Sequence, residues 1–287
     1  MAVYNEEGFI QDAMDSILGQ TGPEIELVVV DDLSTDGTVR IVEERAARDP
    51  RVRFFRVPEK GKVRAFNLGI SQARGEWVCL FAGDDLMPPG SLNERYESVK
   101  DQPLDVPVIG TCRLITMSEN RKLDGQIVPR NPNKQTYSGV CFLMNRQAVA
   151  RMWPVPEVLP NEDTWMELAA RYLGMRSIVS STIGAKWRIH SGNSINMLVP
   201  YEEFNRKLSA RMIAPEVFLA QHRDELTSGA VRALRAHARC EQARKQGNIL
   251  GILRSGVSLV DALRAIALSG PKLYAFRRRA YKLFSGW

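Results

Sequence analysis

An α/β domain built on a mostly parallel sheet, carrying a helical C-terminal extension, is the fold class that three observations predict. Short apolar runs such as Glu26 to Val30 and Trp77 to Leu80 end in paired acids, Asp31-Asp32 and Asp84-Asp85. Runs this short and this rich in β-branched residues read as buried strands. Between them lie stretches whose apolar residues recur at helical spacing, and alternation of strand with helix is the signature of a parallel sheet. Beyond Pro200 the pattern becomes helical and basic. There 16 Lys and Arg face 7 Asp and Glu, whereas residues 1–199 hold 23 against 26. The expected division is therefore a domain over 1–199 and a basic helical extension over 200–287.

Taken in order, Met1 to Val3 read as the last residues of a strand, most of which would lie upstream, leaving its neighbour with an unpaired edge. Asn5 reads as the N-cap of a helix presenting Ile10, Met14, Ile17 and Leu18, which Gly19 ends. After the second strand, Ser34-Thr35-Asp36-Gly37-Thr38 supplies capping side chains for a helix with Val39, Val42 and Ala46. Capping does not explain two acids at a strand end. Arg51 to Val57 reads as a third strand. Lys60-Gly61-Lys62 then opens a helix with Phe66, Ile70 and Ala73 on one side. A basic turn at a helix start can meet phosphate oxygens, and it can equally be a solvated charged turn.

The stretch Phe81-Ala82-Gly83-Asp84-Asp85 is the focus, because ligands of open α/β sheets bind where loops leave the carboxyl ends of strands. Adjacent carboxylates repel unless solvent or a cation lies between them, and hard cations take such oxygen ligands. A turn in which Asp84 caps backbone amides is the competing account. A helix from Ser91 follows, then strands over Val106 to Thr111 and Arg113 to Met117. A polar loop spans Glu119 to Gln135, and a short strand Cys141 to Met144 precedes a helix over Arg146 to Met152. Asn161-Glu162-Asp163 introduces a further helix carrying Trp165, Leu168, Ala169 and Tyr172. Two closing strands, Arg176 to Ile183 and Lys186 to Ile189, lead to the polar turn His190-Ser191-Gly192-Asn193-Ser194.

Composition excludes several classes. No apolar run approaches the length of a membrane span, and no basic segment followed by an apolar one opens the chain, so a cytoplasmic location is the default expectation. Cys79, Cys112, Cys141 and Cys240 are too scattered for a zinc ribbon or a disulfide framework. The tail has no nucleic-acid-reading motif. Its apolar Leu253, Val257, Val260, Leu263 and Ile266, interleaved with Arg254 and Arg264 and followed by Arg277-Arg278-Arg279 and Phe284 to Trp287, fit either a helix lying on an anionic membrane or one docked on the core.

The order of these motifs resembles the family 2 glycosyltransferases, enzymes of the GT-A fold, over residues 2–195. The matching stretches are Val3 to Glu7, Val30-Asp31-Asp32 with Ser34 to Thr38, Asn67 to Ile70 with Ala73 to Glu76, Asp84-Asp85, Glu162-Asp163, and Arg188-Ile189-His190. The resemblance implies a nucleotide-sugar donor, with Tyr4 stacked on the base and Asp32, beside Asp31, accepting a hydrogen bond from it. It also implies that Asp85, with Asp84, holds Mn2+ or Mg2+ against the diphosphate, and that His190 lies near that cation. Asp163, with Glu162 next to it, would be the general base of an inverting transfer to a saccharide or lipid-linked acceptor in cell-surface polysaccharide or glycolipid synthesis. The chain departs from the family at Ala82, where many members carry an acid, and at Phe66, where an Arg is common; Lys62 or Arg64 then become the candidate phosphate contacts. A non-catalytic relative that binds a sugar nucleotide or glycan is the alternative.

Overall fold

Leu27–Asp31 (β2) is buried along its whole length, as a strand covered on both faces must be. Its side chains part in two directions. Leu27 and Val29 join a core with Ile10, Met14, Ile17 and Val42, whereas Val28 and Val30 pack with Ala65, Val57 and Leu68. Helices Ile10–Leu18 (α1) and Thr38–Ala46 (α2) supply the first group, and helix Lys62–Gln72 (α3) supplies the second. The result is a three-layer arrangement around a parallel sheet of Ala2–Val3 (β1), β2 and Val52–Arg56 (β3), in that order.

This computed structural model describes residues 1–190 and 199–284. The chain divides into two units, Met1–Ile189 and His190–Trp287, so the boundary falls ahead of the compositional break at Pro200. In the first unit a second sheet runs Trp77–Cys79 (β4), Phe142–Asn145 (β7), Val108–Met117 (β5) and Ile127–Val128 (β6), with Arg176–Arg188 (β8) parallel to β5. A single parallel bridge, Ala2 to Ala82, links the two sheets. Helices Ser91–Glu97 (α4), Arg146–Met152 (α5) and Asp163–Tyr172 (α6) complete the unit.

Four expectations change. The two strands expected between Val106 and Met117 are one, Val108–Met117; its pairing with β8 shifts register at Cys112 instead of breaking. The two strands expected between Arg176 and Ile189 are likewise one, Arg176–Arg188. Gly184 within it is no turn, since a Cβ there would overlap the Cys112 sulfur, and the glycine is what lets β8 approach β5. The polar Glu119 to Gln135 stretch contains β6, paired with Leu114 and Ile115. Asn5 does not cap α1, which begins at Ile10 after a turn in which Phe9 and Ile10 donate to the Glu6 carbonyl.

The second unit comprises Tyr201–Arg211 (α7), Ala214–His222 (α8), Ser228–Lys245 (α9), Ile249–Leu253 (α10), Leu259–Ile266 (α11) and Pro271–Phe284 (α12). The side chains of Thr227, Asn248 and Ser258 cap α9, α10 and α11. Arg244 is buried, and its guanidinium meets Glu241 at 2.6 Å, Asn205 at 2.7 Å and the Leu268 carbonyl at 3.0 Å. The apolar stripe of the tail splits between two faces. Val257 and Ile266 pack on Cys240, Ala243 and Ile252, whereas Leu250, Leu253, Leu259, Val260 and Leu263 are exposed. Residues 285–287 lie outside the described residues, as do 191–198 of the polar turn after His190.

Candidate active site

The loops leaving β1, β2 and β4 lie at the carboxyl ends of neighbouring strands, and they bring the acids together. The loop after β1 is laced to the start of α2. Asn5, at φ 53°, donates its N–H to Ser34 Oγ (2.9 Å) and accepts from the Thr35 N–H (2.8 Å). The Glu6 N–H donates to Thr38 Oγ1 (2.8 Å), and the Gly37 N–H donates to Glu7 (3.0 Å). Asp36 caps α2 through the Thr38 N–H, as expected of it, but Ser34 and Thr38 chiefly hold the neighbouring loop.

Within this frame Asp32 accepts the Gly61 N–H at 2.5 Å, and burial raises its pKa. Asp31 takes a different part. It is fully buried, paired with Arg56 at 3.0 Å and accepting the Ser34 N–H, so it shapes the loop from behind. Tyr4 is partly exposed, with the Lys60 ammonium 3.4 Å from its ring centroid. Lys60 thus covers the ring assigned to the base, a placement absent from the sequence reading.

Glu6 is the residue that sequence reasoning missed. Its carboxylate packs against Gly83 and leaves Oε2 buried without a hydrogen-bond partner. Burial, then Asp84 and Asp85, push its pKa up to about 9. The only signal was its place in the stretch after β1. Asp85 is buried, accepts the Arg188 N–H at 2.8 Å, and is pushed up to about 7 by burial and by Asp84. The Arg188 guanidinium donates to the Asp84 carbonyl at 2.8 Å and lies 4.5 Å from the Phe9 ring. His190, two residues on, is the first residue of the second unit.

Lys62 joins this group to the start of α6. Its ammonium is 3.2 Å from Glu162, and it also acts electrostatically on Glu6 and Asp85. Burial raises the pKa of Glu162, whose Oε2 has no hydrogen-bond partner. Asp163 is half-buried in the first turn of α6 and accepts a hydrogen bond from Asn161. Arg64 is paired with Glu59 at 2.7 Å and Glu157 at 2.8 Å and acts electrostatically on Asp32, whereas of the two candidate phosphate contacts Lys62 is the one that acts on Glu6 and Asp85. Asn67 of the third motif bonds the Val155 backbone at 2.8 and 3.0 Å, a packing role. Along Tyr137 to Asn145, residues Phe142 to Asn145 are buried in β7, which leaves Tyr137 and Ser138 nearest to solvent.

Glu6, Asp84 and Asp85 are oxygen donors whose mutual repulsion and orphaned Oε2 fit a hard divalent cation. Among the described residues no three His, Cys, Asp or Glu side chains form a metal cage by themselves. Such a donor set suits a cation whose remaining ligands come from a diphosphate and water.

A family model described as glycosyl transferase family 2 matches residues 1–153, more than half of the chain. The chain belongs to glycosyl transferase family 2. Curated relatives of this glycosyltransferase include EpsJ, an uncharacterized glycosyltransferase of Bacillus subtilis (strain 168), 33% identical over 120 residues, 42% of this chain and 34% of that protein. The succinoglycan biosynthesis protein ExoO of Rhizobium meliloti (strain 1021) is 40% identical over 98 residues, 34% of this chain and 28% of that protein. The matched region thus spans about a third of the length of such relatives. Among solved structures, S. aureus TarS 1-349 in complex with UDP-GlcNAc aligns with TM-score 0.61 and 18% identity, covering 97% of this chain and 91% of that one. The mannosyltransferase PcManGT from Pyrobaculum calidifontis, in complex with GDP-Man and Mn2+, aligns with TM-score 0.56 and 19% identity, covering 98% and 79%. The fold is the GT-A type.

Proposed function

We propose that this glycosyltransferase moves a hexosyl group from a nucleoside-diphosphate sugar to an acceptor hydroxyl with inversion, in polysaccharide or glycolipid assembly. The observation that carries the reading is the convergence of Glu6, Asp84 and Asp85 at the strand ends with Glu162-Asp163 through Lys62. Asp85, with Asp84, would hold Mn2+ or Mg2+. When bound, the cation supplies Lewis-acid stabilisation of the diphosphate. Tyr4 and Asp32 receive the base, and Lys62 offsets negative charge on the leaving group. The acceptor oxygen bonds to the anomeric carbon as the bond to the diphosphate oxygen breaks, and the acceptor proton passes to the Asp163 carboxylate. A base opposite the leaving group gives inversion, with no second nucleophile.

In support, TarS and PcManGT are described with UDP-GlcNAc and with GDP-Man and Mn2+, and ExoO with succinoglycan biosynthesis. The deciding experiment measures UDP or GDP release from UDP-GlcNAc and GDP-Man, with Mn2+ and with EDTA. Metal-stimulated release that Asp85→Asn abolishes is the expected result; release that is indifferent to metal and to Asp85 rejects the cation role.

The second unit supports attachment to an anionic membrane surface. No helix among the described residues is long and apolar enough to cross a membrane. Leu250, Leu253, Leu259, Val260 and Leu263 are nonetheless exposed on α10 and α11, and so are the adjoining Arg254 and Arg264. A lipid-linked saccharide is the acceptor class that such attachment would serve.

A further inference from the structure

Asn161 stands just ahead of α6 and does not do what an asparagine in that place ordinarily does. There the side-chain oxygen accepts a backbone N–H of the first helical turn and so stabilises the helix start. Helix α6 has no side-chain cap. The amide of Asn161 is turned the other way, and its Nδ2 donates to the Asp163 carboxylate and to Thr164 Oγ1, the latter at 3.1 Å. Its Oδ1 is left buried, without a hydrogen-bond partner among the described residues, on a side chain only 3% exposed. Burial of an unpaired acceptor is destabilising. This orientation therefore forgoes a cap and orphans an oxygen. Turning the amide over would set an oxygen against the carboxylate, so it is Asp163 that dictates the direction.

The backbone beneath Asp163 is fixed by other means. Pro160 precedes Asn161 and has its own φ locked by its ring. The Met166 N–H donates to the Glu162 carbonyl at 2.9 Å. Trp165 is buried and donates its indole N–H to the Met152 carbonyl at 2.8 Å, which ties the first turn of α6 to the end of α5. Such anchoring leaves the side-chain torsions of Asp163 undetermined, and the terminal torsion of an aspartate is intrinsically broad. A carboxylate that takes the proton of an attacking hydroxyl must present an oxygen along the line of attack. Misplacement by about 1 Å can slow such a step by about 10²-fold. The Asn161 N–H acts on that torsion, while Thr164 Oγ1 takes the amide's other N–H and holds the donor in place. Capping alone would predict an asparagine here, which is why the residue is inconspicuous in the sequence.

We infer that Asn161 is a positioning residue whose amide fixes the rotation of the Asp163 carboxylate, with Thr164 fixing the amide in turn. The inference rests on the proposed role of Asp163 as general base. A neutral amide takes no proton in the reaction, so Asn161 acts through Asp163. Its contribution belongs to turnover rather than to donor affinity, and it exists only while Asp163 is there to be oriented.

The test is a double-mutant cycle on kcat and KM, read as UDP or GDP release from UDP-GlcNAc or GDP-Man in Mn2+ with water as the acceptor. Asn161→Ala should lower kcat roughly 10–100-fold and leave the donor KM within about twofold of the parent's. Placed on Asp163→Asn, the same substitution should change kcat by less than about twofold, because no base remains to be oriented. Should Asn161→Ala fail to fold, Asn161→Asp keeps the shape and removes the donor, and the same cycle applies to it. Loss by an equal factor in both backgrounds would overturn the positioning role, since a purely structural effect of Asn161 does not depend on Asp163. A raised KM at unchanged kcat would overturn it as well. Release by Asp163→Asn as fast as by the parent would instead reject Asp163 as the base, and the inference would fall with the reading beneath it.

Discussion

At the scale of single residues, the acids at the strand ends were legible because a turn has no need of paired carboxylates. Glu6 was not, because its role is created by the approach of Gly83, a contact across the sheet that no local pattern encodes. Its behaviour is testable through stability. The folded chain holds a proton on Glu6 up to about pH 9, whereas the unfolded chain releases it near 4.5. The stabilising effect is therefore complete below pH 4.5 and is lost as pH rises through 9; Asp85 acts in the same direction between 3.8 and about 7. In EDTA the urea midpoint should fall from pH 6 to pH 9, and Glu6→Gln should flatten the slope. Adding Mn2+ should restore wild-type stability at pH 8 if the acids take a cation there. Asp163→Asn should leave donor binding intact in calorimetry and slow turnover by about 10²–10⁴-fold, as loss of a general base does. Arg64 shows the converse limit. Its partner Glu157 stands 93 residues away, so its commitment to an ion pair was invisible in the sequence.

At the scale of elements, helix periodicity served well: α5 falls on the expected residues, α2 and α6 contain the apolar residues expected of them, and α3 contains Phe66 and Ile70, with Ala73 just past its end. The strands failed where chemistry interrupted the pattern. β8 contains Gly184 for close approach to Cys112, and β5 shifts register at that same point, so each reads as two strands. Gly83 is a second glycine-dependent approach. A methyl group there would overlap Glu6 Oε2 and come within 2.7 Å of Val3 Cγ1. Gly83→Ala should thus destabilise the protein by about 1–3 kcal/mol in urea titration, as overpacking does. In the second unit, Glu241→Ala leaves the Arg244 guanidinium buried with its carboxylate removed. A loss of about 3–5 kcal/mol is expected for breaking such a pair from one side. Replacing both residues with apolar ones of similar size should recover much of it.

For the whole molecule, the charge asymmetry read from composition follows the division into two units. The acids of the site all belong to the first unit, and the basic excess belongs to the helices after it. The tail stripe read as a helix lying on an anionic membrane or docked on the core; Val257 and Ile266 turn inward onto the second unit's own helices, while Leu253, Val260 and Leu263 turn out. Periodicity alone could not separate faces so close in angle. Flotation with anionic vesicles should accordingly be lost in a Leu253→Ser, Val260→Ser, Leu263→Ser variant that keeps its inward residues. It should weaken in high salt, where the screening length drops to about 3 Å at 1 M. Equal flotation of variant and parent would reject the surface.

The lacing of Asn5, Glu6 and Glu7 to Ser34, Thr35, Gly37 and Thr38 has a kinetic consequence. The two loops that carry Tyr4 and Asp32 cannot open independently, because each supplies the other's hydrogen-bond partners. A nucleotide therefore meets a wall that is already set. Stopped-flow binding should show an observed rate that climbs linearly with ligand concentration, without the plateau that a preceding loop closure would impose.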